Sequence, residues 1–193
     1  MSGPVNPRYF YKTVDVPNWQ AISSKMRLFV EQRPKVFGRG YHINLMRLDE
    51  QEVRQECPEL NRAFDHLNLK VTDVMVFVLW NQDQCGIHKD TWHHAARINM
   101  PLLNCEGSFT AFYSDDEPSV RVKNGQGKFV EVLKNQVAPI QCKFELAEPT
   151  VMRVLSFHKV LLPRGVRNAP RISLSLGFDI DPVVLLESSP TVN

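Results

Sequence analysis

The chain has 193 residues, of which 43% are hydrophobic and 23% are charged, with a formal net charge of +2 at pH 7. This composition excludes a disordered chain, and the balance of 23 basic against 21 acidic residues gives no general attraction to nucleic acid or acidic membranes. No apolar run approaches the ~20 residues that cross a bilayer, and residues 1–7 lack the features of a signal peptide. We therefore expect a cytoplasmic protein that forms one domain and binds neither membranes nor nucleic acid.

The first 70 residues predict helices. An apolar stripe at helical spacing follows Pro17, formed by Trp19, Ile22, Met26, Phe29 and Val30. Residues 49–52 supply an acidic first turn for a second helix, and Pro58 begins a third one that continues to Leu67. A short run at 41–46 predicts a first strand.

From Val71 onward, short β-rich runs alternate with turns. We predict strands near 73–80, 96–103, 108–114, 119–122, 128–133, 139–146, 150–157 and 170–180. This spacing is typical of a sandwich, barrel or jelly roll. We expect an α+β, mostly β domain, in which the helices of 1–70 pack on a β core at 71–180 and 181–193 form a tail.

A His-x-Asp motif follows the first long apolar strand. Side chains two positions apart in a strand face the same way, so His88 and Asp90 can direct a nitrogen and a carboxylate oxygen to one point. These are two ligands of the facial triad that leaves open positions on non-haem iron(II). The same pair in isolation would be an ordinary feature of a surface loop.

Two residues further along the chain extend this pattern. His158 ends the predicted strand 150–157, and Arg171 lies 13 residues later in another predicted strand. A guanidinium can hold a carboxylate through two parallel hydrogen bonds, which a lysine cannot do. Arg171 therefore suits a dicarboxylate cosubstrate.

At these residues the sequence resembles the iron(II)/2-oxoglutarate-dependent oxygenases, most closely the aspartyl/asparaginyl β-hydroxylase-like and prolyl-hydroxylase-like branches, over about residues 71–180. The resemblance implies a double-stranded β-helix, which is a jelly roll of the cupin type, and iron(II) with 2-oxoglutarate as cosubstrate. It implies His88 and Asp90 as metal ligands and Arg171 as the partner of the distal carboxylate. Arg97 and Asn99 correspond to an Arg-x-His pair that holds the cosubstrate, with asparagine in place of histidine. Tyr113 is a further candidate for a hydrogen bond to it.

Two alignments compete for the third metal ligand. In one the ligand is His158; in the other the stretch 164–168 matches a His-x-Val-x-Asn pattern, with Arg164 at the ligand position. A guanidinium cannot ligate iron. We prefer His158 and predict a dioxygenase that hydroxylates a substrate. The alternative is a degenerate oxygenase fold that acts as a binding or structural module.

Other features leave further alternatives open. His93 and His94 could be extra ligands of a cupin-like metalloprotein, or part of a solvated loop. Basic residues at 121, 123, 128 and 134 predict a solvated hairpin face. A protein side chain, a free amino acid, another metabolite and a nucleobase all remain open as the prime substrate, because substrate contacts lie on variable loops.

Overall fold

Two six-stranded antiparallel sheets account for most of the described chain. The computed structural model describes residues 6–33, 45–80, 86–91, 93–123, 129–163 and 170–187. The major sheet has the order β1-β10-β5-β12-β3-β2, and its strands are β1 (Tyr11–Thr13), β2 (Leu45–Arg47), β3 (Val71–Leu79), β5 (Ala96–Leu103), β10 (Thr150–Arg153) and β12 (Arg171–Phe178). The minor sheet has the order β7-β8-β4-β11-β6-β9, and its strands are β4 (His88–Lys89), β6 (Phe109–Tyr113), β7 (Ser119–Lys123), β8 (Phe129–Leu133), β9 (Ile140–Glu145) and β11 (His158–Leu161).

The path of the chain between the sheets identifies the fold. Four strands of the major sheet (β3, β5, β10, β12) and four of the minor sheet (β4, β6, β9, β11) form the core, and the chain changes sheet at every step except from β6 to β9. This is the strand order of a double-stranded β-helix, so the predicted jelly roll is confirmed. The hairpin β7–β8 is inserted between β6 and β9 and extends the minor sheet beside β4.

Helices of the N-terminal part cover the outer face of the major sheet, as the sequence predicted: α1 (Trp19–Glu31), α2 (Glu50–Glu56) and α3 (Pro58–Arg62). A fourth helix, α4 (Val184–Glu187), lies in the segment 181–193, which was predicted to be a tail. The Asp49 carboxylate accepts hydrogen bonds from two backbone amides in the first turn of α2, which explains where that helix begins. The largest core cluster joins the helices to β3, β5 and β12 through residues such as Met26, Phe64, Val76 and Leu174.

The opposite face of the major sheet is polar and faces the minor sheet. Because side chains alternate along a strand, β12 presents Ile172, Leu174 and Leu176 to the helices and Arg171, Ser173 and Ser175 to the other side. Two smaller apolar clusters close the space between the sheets. One joins Met152 to Phe112 and Phe144, and the other joins Leu79 to Val160.

The strand predicted at 150–157 is wrong as a single element. Strand β10 ends at Arg153 in the major sheet, residues 154–157 turn, and β11 begins at His158 in the minor sheet. His158 therefore opens a strand instead of ending one. The run is mostly apolar because most of its residues are buried, and this hides the crossing between sheets.

Other sequence predictions fall partly outside the described residues. The first strand, predicted at 41–46, is observed as Leu45–Arg47, and residues 41–44 are not described. Cys57, Cys105 and Cys142 are free thiols, while Cys85 lies outside the described residues. Within the described ranges, no helix combines the length and apolarity needed to span a membrane.

Candidate metal centre

Cross-strand pairing brings the two predicted histidine ligands together. Strand β4 lies between β8 and β11, and His88 is the direct partner of His158. Direct partners in an antiparallel pair project to the same face. The two imidazole rings lie with their centroids 4.6 Å apart. Lys89, between the predicted ligands, projects the other way and pairs with Asp115.

Asp90 completes a cluster of three potential ligands. One ligand atom from each of His88, Asp90 and His158 lies within 4.8 Å of the others, and His88 Nε2 is 3.7 Å from Asp90 Oδ1. Donor atoms at about 2.1 Å from a metal stand about 3 Å apart when the angle between them is a right angle. Small side-chain rotations therefore suffice for these groups to share one ion.

Backbone carbonyls fix the orientation of both imidazoles in the same way. His88 Nδ1 lies 2.9 Å from Gly86 O, and His158 Nδ1 lies 2.9 Å from Ser156 O. A carbonyl only accepts hydrogen bonds, so Nδ1 carries the proton and Nε2 keeps its lone pair. This is the arrangement that orients metal-binding histidines in proteins.

Burial keeps His158 neutral. Its side chain is 7% exposed, and desolvation together with the neighbouring His88 lowers the pKa of His158 to about 4. A neutral imidazole can donate its Nε2 lone pair to a metal at neutral pH. An ordinary core histidine would also be neutral, but it would not face a second histidine and a carboxylate.

Backbone hydrogen bonds connect the ligand-bearing segments. Asp90 N donates to Val154 O, in the turn that precedes His158, and Val154 N donates to Ala95 O. The Asp181 carboxylate in turn accepts from the amides of Ala95 and Ala96 at 2.6 Å and 3.2 Å. The segment carrying Asp90 and the segment carrying His158 are thus held to each other independently of any ligand.

Arg171 lies at the start of β12, on the face of the major sheet that is turned towards the minor sheet. It is 2% exposed, and its guanidinium donates to Ser108 Oγ at 3.0 Å and to Ser173 Oγ at 3.1 Å. Both serines are themselves buried. Ser173 could have been found from the sequence, because it lies two positions after Arg171 on the same strand face. Ser108 directly precedes β6, far from Arg171 in the sequence, and carries no such signal.

Arg97 is buried and bound within the protein. It donates to Asp73 Oδ2 at 2.8 Å and to Ser175 Oγ at 2.9 Å, and the other Asp73 oxygen pairs with Arg47 at 2.7 Å. Burial lowers the pKa of Arg97, against the attraction of Asp73. Asn99 lies two positions along on the same face and donates to Met152 Sδ, and its buried Oδ1 has no hydrogen-bond partner among the described residues.

Tyr113, predicted as a hydrogen-bond partner of the cosubstrate, lies on the other face of the minor sheet from the candidate metal ligands. Phe112 is the cross-strand partner of His158, so the neighbouring Tyr113 projects to the opposite face of the minor sheet. There it packs with Ile87, Leu133 and Phe157, and burial raises the pKa of Tyr113. The apolar cluster explains the burial without a cosubstrate.

A cavity of about 570 Å³ opens beside Asp90. Its described lining includes Arg47, Asp73, Asp90, His93, His94, Arg97, Arg121 and Phe129. His93 and His94 therefore lie near the metal centre but are not part of the three-ligand cluster found among the described residues. Arg164, the competing residue for the distal ligand position, lies outside the described residues.

Comparisons with known proteins give only distant likenesses. No protein-family profile matches the sequence, and no curated protein matches it. The epimerase SnoN from nogalamycin biosynthesis, a non-heme alpha ketoglutarate dependent enzyme, is 13% identical, with 97% of this chain and 88% of that chain covered and a TM-score of 0.46. SnoN in complex with Fe3+, alpha ketoglutarate and nogalamycin RO gives the same identity and coverage with a TM-score of 0.44. AviO1 from Streptomyces viridochromogenes Tue57 is 12% identical, with 90% of each chain covered and a TM-score of 0.44. All three TM-scores are below 0.5, so the assignment of the fold rests on the strand order of this chain.

Proposed function

We propose that this protein is an iron(II)- and 2-oxoglutarate-dependent dioxygenase that hydroxylates an organic substrate. The observation that carries the proposal is the convergence of His88, Asp90 and His158 inside a double-stranded β-helix. Two neutral imidazoles and one carboxylate form the facial triad of non-haem iron(II) enzymes, which leaves three positions for other ligands.

The donor set fits iron(II) in its chemistry as well as its geometry. Both Nε2 atoms are prepared as ligands by the hydrogen bonds from Nδ1 to Gly86 O and Ser156 O. The set contains no thiolate, which would favour softer metals, and a single carboxylate, which is few for a calcium or magnesium site. The same set can also hold other divalent transition metals, so the test must measure iron directly.

Arg171 supplies the features that 2-oxoglutarate requires. A buried guanidinium can bind a carboxylate far more strongly than an exposed one, because water does not compete for it. The hydroxyls of Ser108 and Ser173 accept from the guanidinium and hold it. The Ser173 hydroxyl can donate to the same carboxylate, whereas that of Ser108 already donates to the carbonyl of Cys105. We assign Arg171 to the distal carboxylate, and Arg97 and Asn99 to supporting positions on the same sheet face.

When bound, iron(II) with 2-oxoglutarate and O₂ supplies the oxidation of a substrate C–H bond, coupled to decarboxylation of the cosubstrate. The protein's part is to orient the reactants and to exclude water. Phe112 packs beside His158 with its ring centroid 6.2 Å from that of the imidazole, and its cluster closes one end of the space between the sheets. This apolar wall limits the access of water to the site.

Anaerobic titration with iron(II), followed by 2-oxoglutarate, tests the proposal. We expect one iron per chain and, after 2-oxoglutarate is added, a visible metal-to-ligand charge-transfer band. The His88→Ala variant should lose both, while His66→Ala should keep both, because His66 only contacts the carbonyl of Asp15 in the N-terminal part. Full iron binding by His88→Ala would contradict the ligand assignment. If the unmodified protein binds no iron, the fold serves as a binding or structural module instead.

A further inference from the structure

The cavity beside Asp90 shares Arg97 with the site assigned to 2-oxoglutarate, but its described lining does not include Arg171. Its volume of about 570 Å³ lies in the range of small-molecule sites, roughly 300–1,000 Å³. Because Asp90 is both a candidate metal ligand and part of the wall, a molecule in this cavity lies next to the metal centre. The apolar part of the wall is formed by Leu45, Ala96, Phe129, Val130 and Phe178.

Two of the three arginines in the described wall are held in ion pairs. Arg47 and Arg97 both pair with Asp73, at 2.7 Å and 2.8 Å. Asp90 belongs to the metal centre. Arg121 remains: among the described residues no carboxylate lies within salt-bridge distance of it, and its guanidinium lies 4.5 Å from the centre of the Phe129 ring.

The hairpin that carries Arg121 on β7 is held close to the candidate metal ligands through β8. Strand β8 pairs directly with β4, and the Thr91 hydroxyl donates to the carbonyl of Phe129. Arg121 is the cross-strand neighbour of Glu131 in the hairpin, on the face of the sheet away from His88. Its side chain lines the cavity beyond the end of β4. A cation that forms no salt bridge with a described carboxylate, at the mouth of a partly apolar cavity, favours an organic anion.

We propose that the prime substrate is a small organic anion, with a carboxylate or phosphate bound by Arg121 and an apolar part lying between Phe129 and Asp90. Its identification as the substrate rests on the proposed function, whereas anion binding in the cavity does not. The two positive charges of a dication at Asp90 and the two negative charges of the cosubstrate would cancel. Loading of the centre would therefore add no net negative charge that repels such an anion. His93 and His94 line the same cavity and can donate further hydrogen bonds.

Binding of simple probes tests this proposal directly. Phenyl phosphate and benzoate are compared with neutral benzamide by isothermal titration, on the metal-free protein and on protein loaded anaerobically with iron(II) and saturating 2-oxoglutarate. We expect both anions to bind at least about tenfold more tightly than benzamide in both forms. Arg121→Gln should remove this preference.

The matched control is Lys143→Gln. It removes the same charge from another cation of the minor sheet, whose Nζ lies 4.6 Å from the centre of the Phe109 ring, but Lys143 is not part of the described lining of the cavity, so anion affinity should stay within about twofold. Equal losses in the two variants would show general surface attraction and overturn the proposal. If benzamide binds as tightly as the two anions, the proposal is also overturned. Displacement of phenyl phosphate by 2-oxoglutarate from the iron-loaded protein would assign the cavity to the cosubstrate and also overturn it.

Two further results separate this proposal from the one it builds on. If the protein takes up no iron but still binds anions in a way that depends on Arg121, the anion site is supported and the proposed oxygenase function is wrong. A phosphoserine tripeptide tested in parallel separates free metabolites from protein side chains. If it binds more tightly than phenyl phosphate, the small-molecule assignment is wrong.

Discussion

At the scale of single residues, His88 and His158 are oriented by the same kind of local hydrogen bond. Each donates from Nδ1 to the carbonyl two positions earlier in its own segment, so each ring is oriented by its own backbone. His88 and Asp90 could be paired from the sequence because strand periodicity places them on one side. His158 was predicted only through the resemblance to a family, because its place beside His88 depends on which strand pairs with β4, and pairing over such a separation leaves no local pattern.

Replacement of His158 should remove the metal site without unfolding the protein. The ring lies partly against His88 and Phe112, so His158→Ala leaves a small cavity and costs about 1–3 kcal/mol of stability. Iron(II) affinity should fall at least about 100-fold, since one of three protein ligands is lost. Equilibrium dialysis with metal analysis measures this, and His94→Ala is the control that should retain affinity. If His94→Ala loses iron(II) affinity instead, a cupin-like metal site with His93 or His94 as an extra ligand is favoured.

Replacement of Arg171 should act on the cosubstrate and spare the metal. Arg171→Gln keeps hydrogen-bonding capacity towards Ser108 and Ser173 but removes the charge. We expect 2-oxoglutarate affinity to fall by at least about tenfold, the order of magnitude of one charge-assisted hydrogen bond. Anaerobic titration of the charge-transfer band gives this affinity, and iron binding serves as the internal control. An unchanged cosubstrate affinity would remove Arg171 from the site.

At the scale of elements, the strands of five residues or more were predictable, whereas β1 and β4 were not. β3, β5 and β12 are long and bounded by polar turns, and each matches its predicted position closely. β1 and β4 are three and two residues long, too short to show any periodicity, and they exist because neighbouring strands offer pairing partners. The metal centre depends on β4, so its geometry required the tertiary structure.

Close packing between β12 and β5 predicts the effect of one substitution. A Cβ at Gly177 would lie 2.9 Å from Arg97 Nη1 and 3.1 Å from the Asp73 Cβ. Because the ion pair holds Arg97 in place, Gly177→Ala should cost about 1–3 kcal/mol in urea unfolding. In the Arg97→Ala background the same change should cost less, since one of the two contacts is gone. Equal costs in both backgrounds would show that Arg97 does not fill this space.

A carboxylate connects the C-terminal segment to the loop beyond the metal ligands. Asp181 accepts hydrogen bonds from the amides of Ala95, Ala96 and Val183. Asp181→Ala leaves these partly buried donors unsatisfied and should cost about 1–3 kcal/mol, measured by thermal or urea unfolding. The matched control is Asp116→Ala in an exposed turn, which should cost less than about 0.5 kcal/mol. Equal effects would mean that the Asp181 bonds contribute no more than a surface turn.

At the scale of the whole molecule, the candidate ligands join parts of the chain that are distant in sequence. His88 and Asp90 precede the hairpin and most of the minor sheet, while His158 follows them. Since the complete set exists only in the folded state, a metal that occupies it must stabilise the fold. Manganese(II), which does not oxidise under the assay conditions, allows this to be measured in air.

Added manganese(II) should raise the melting temperature by several degrees. At a free concentration 100 times the dissociation constant, one site contributes about 2.7 kcal/mol. His158→Ala should show little or no increase at the same concentration, which corrects for non-specific effects of the ion. An equal increase in both proteins would place the stabilising ion elsewhere.

The hairpin β7–β8 has a further consequence for how such a protein can be changed. It leaves the core strand order after β6 and rejoins it at β9, but β8 also pairs directly with β4, which carries His88. The hairpin carries Arg121 and Phe129, whereas the candidate iron and cosubstrate residues all lie outside it. Changes to the side chains of β7 and β8 that keep the pairing of β8 with β4 would therefore redirect selectivity towards a new compound and leave the candidate metal centre in place.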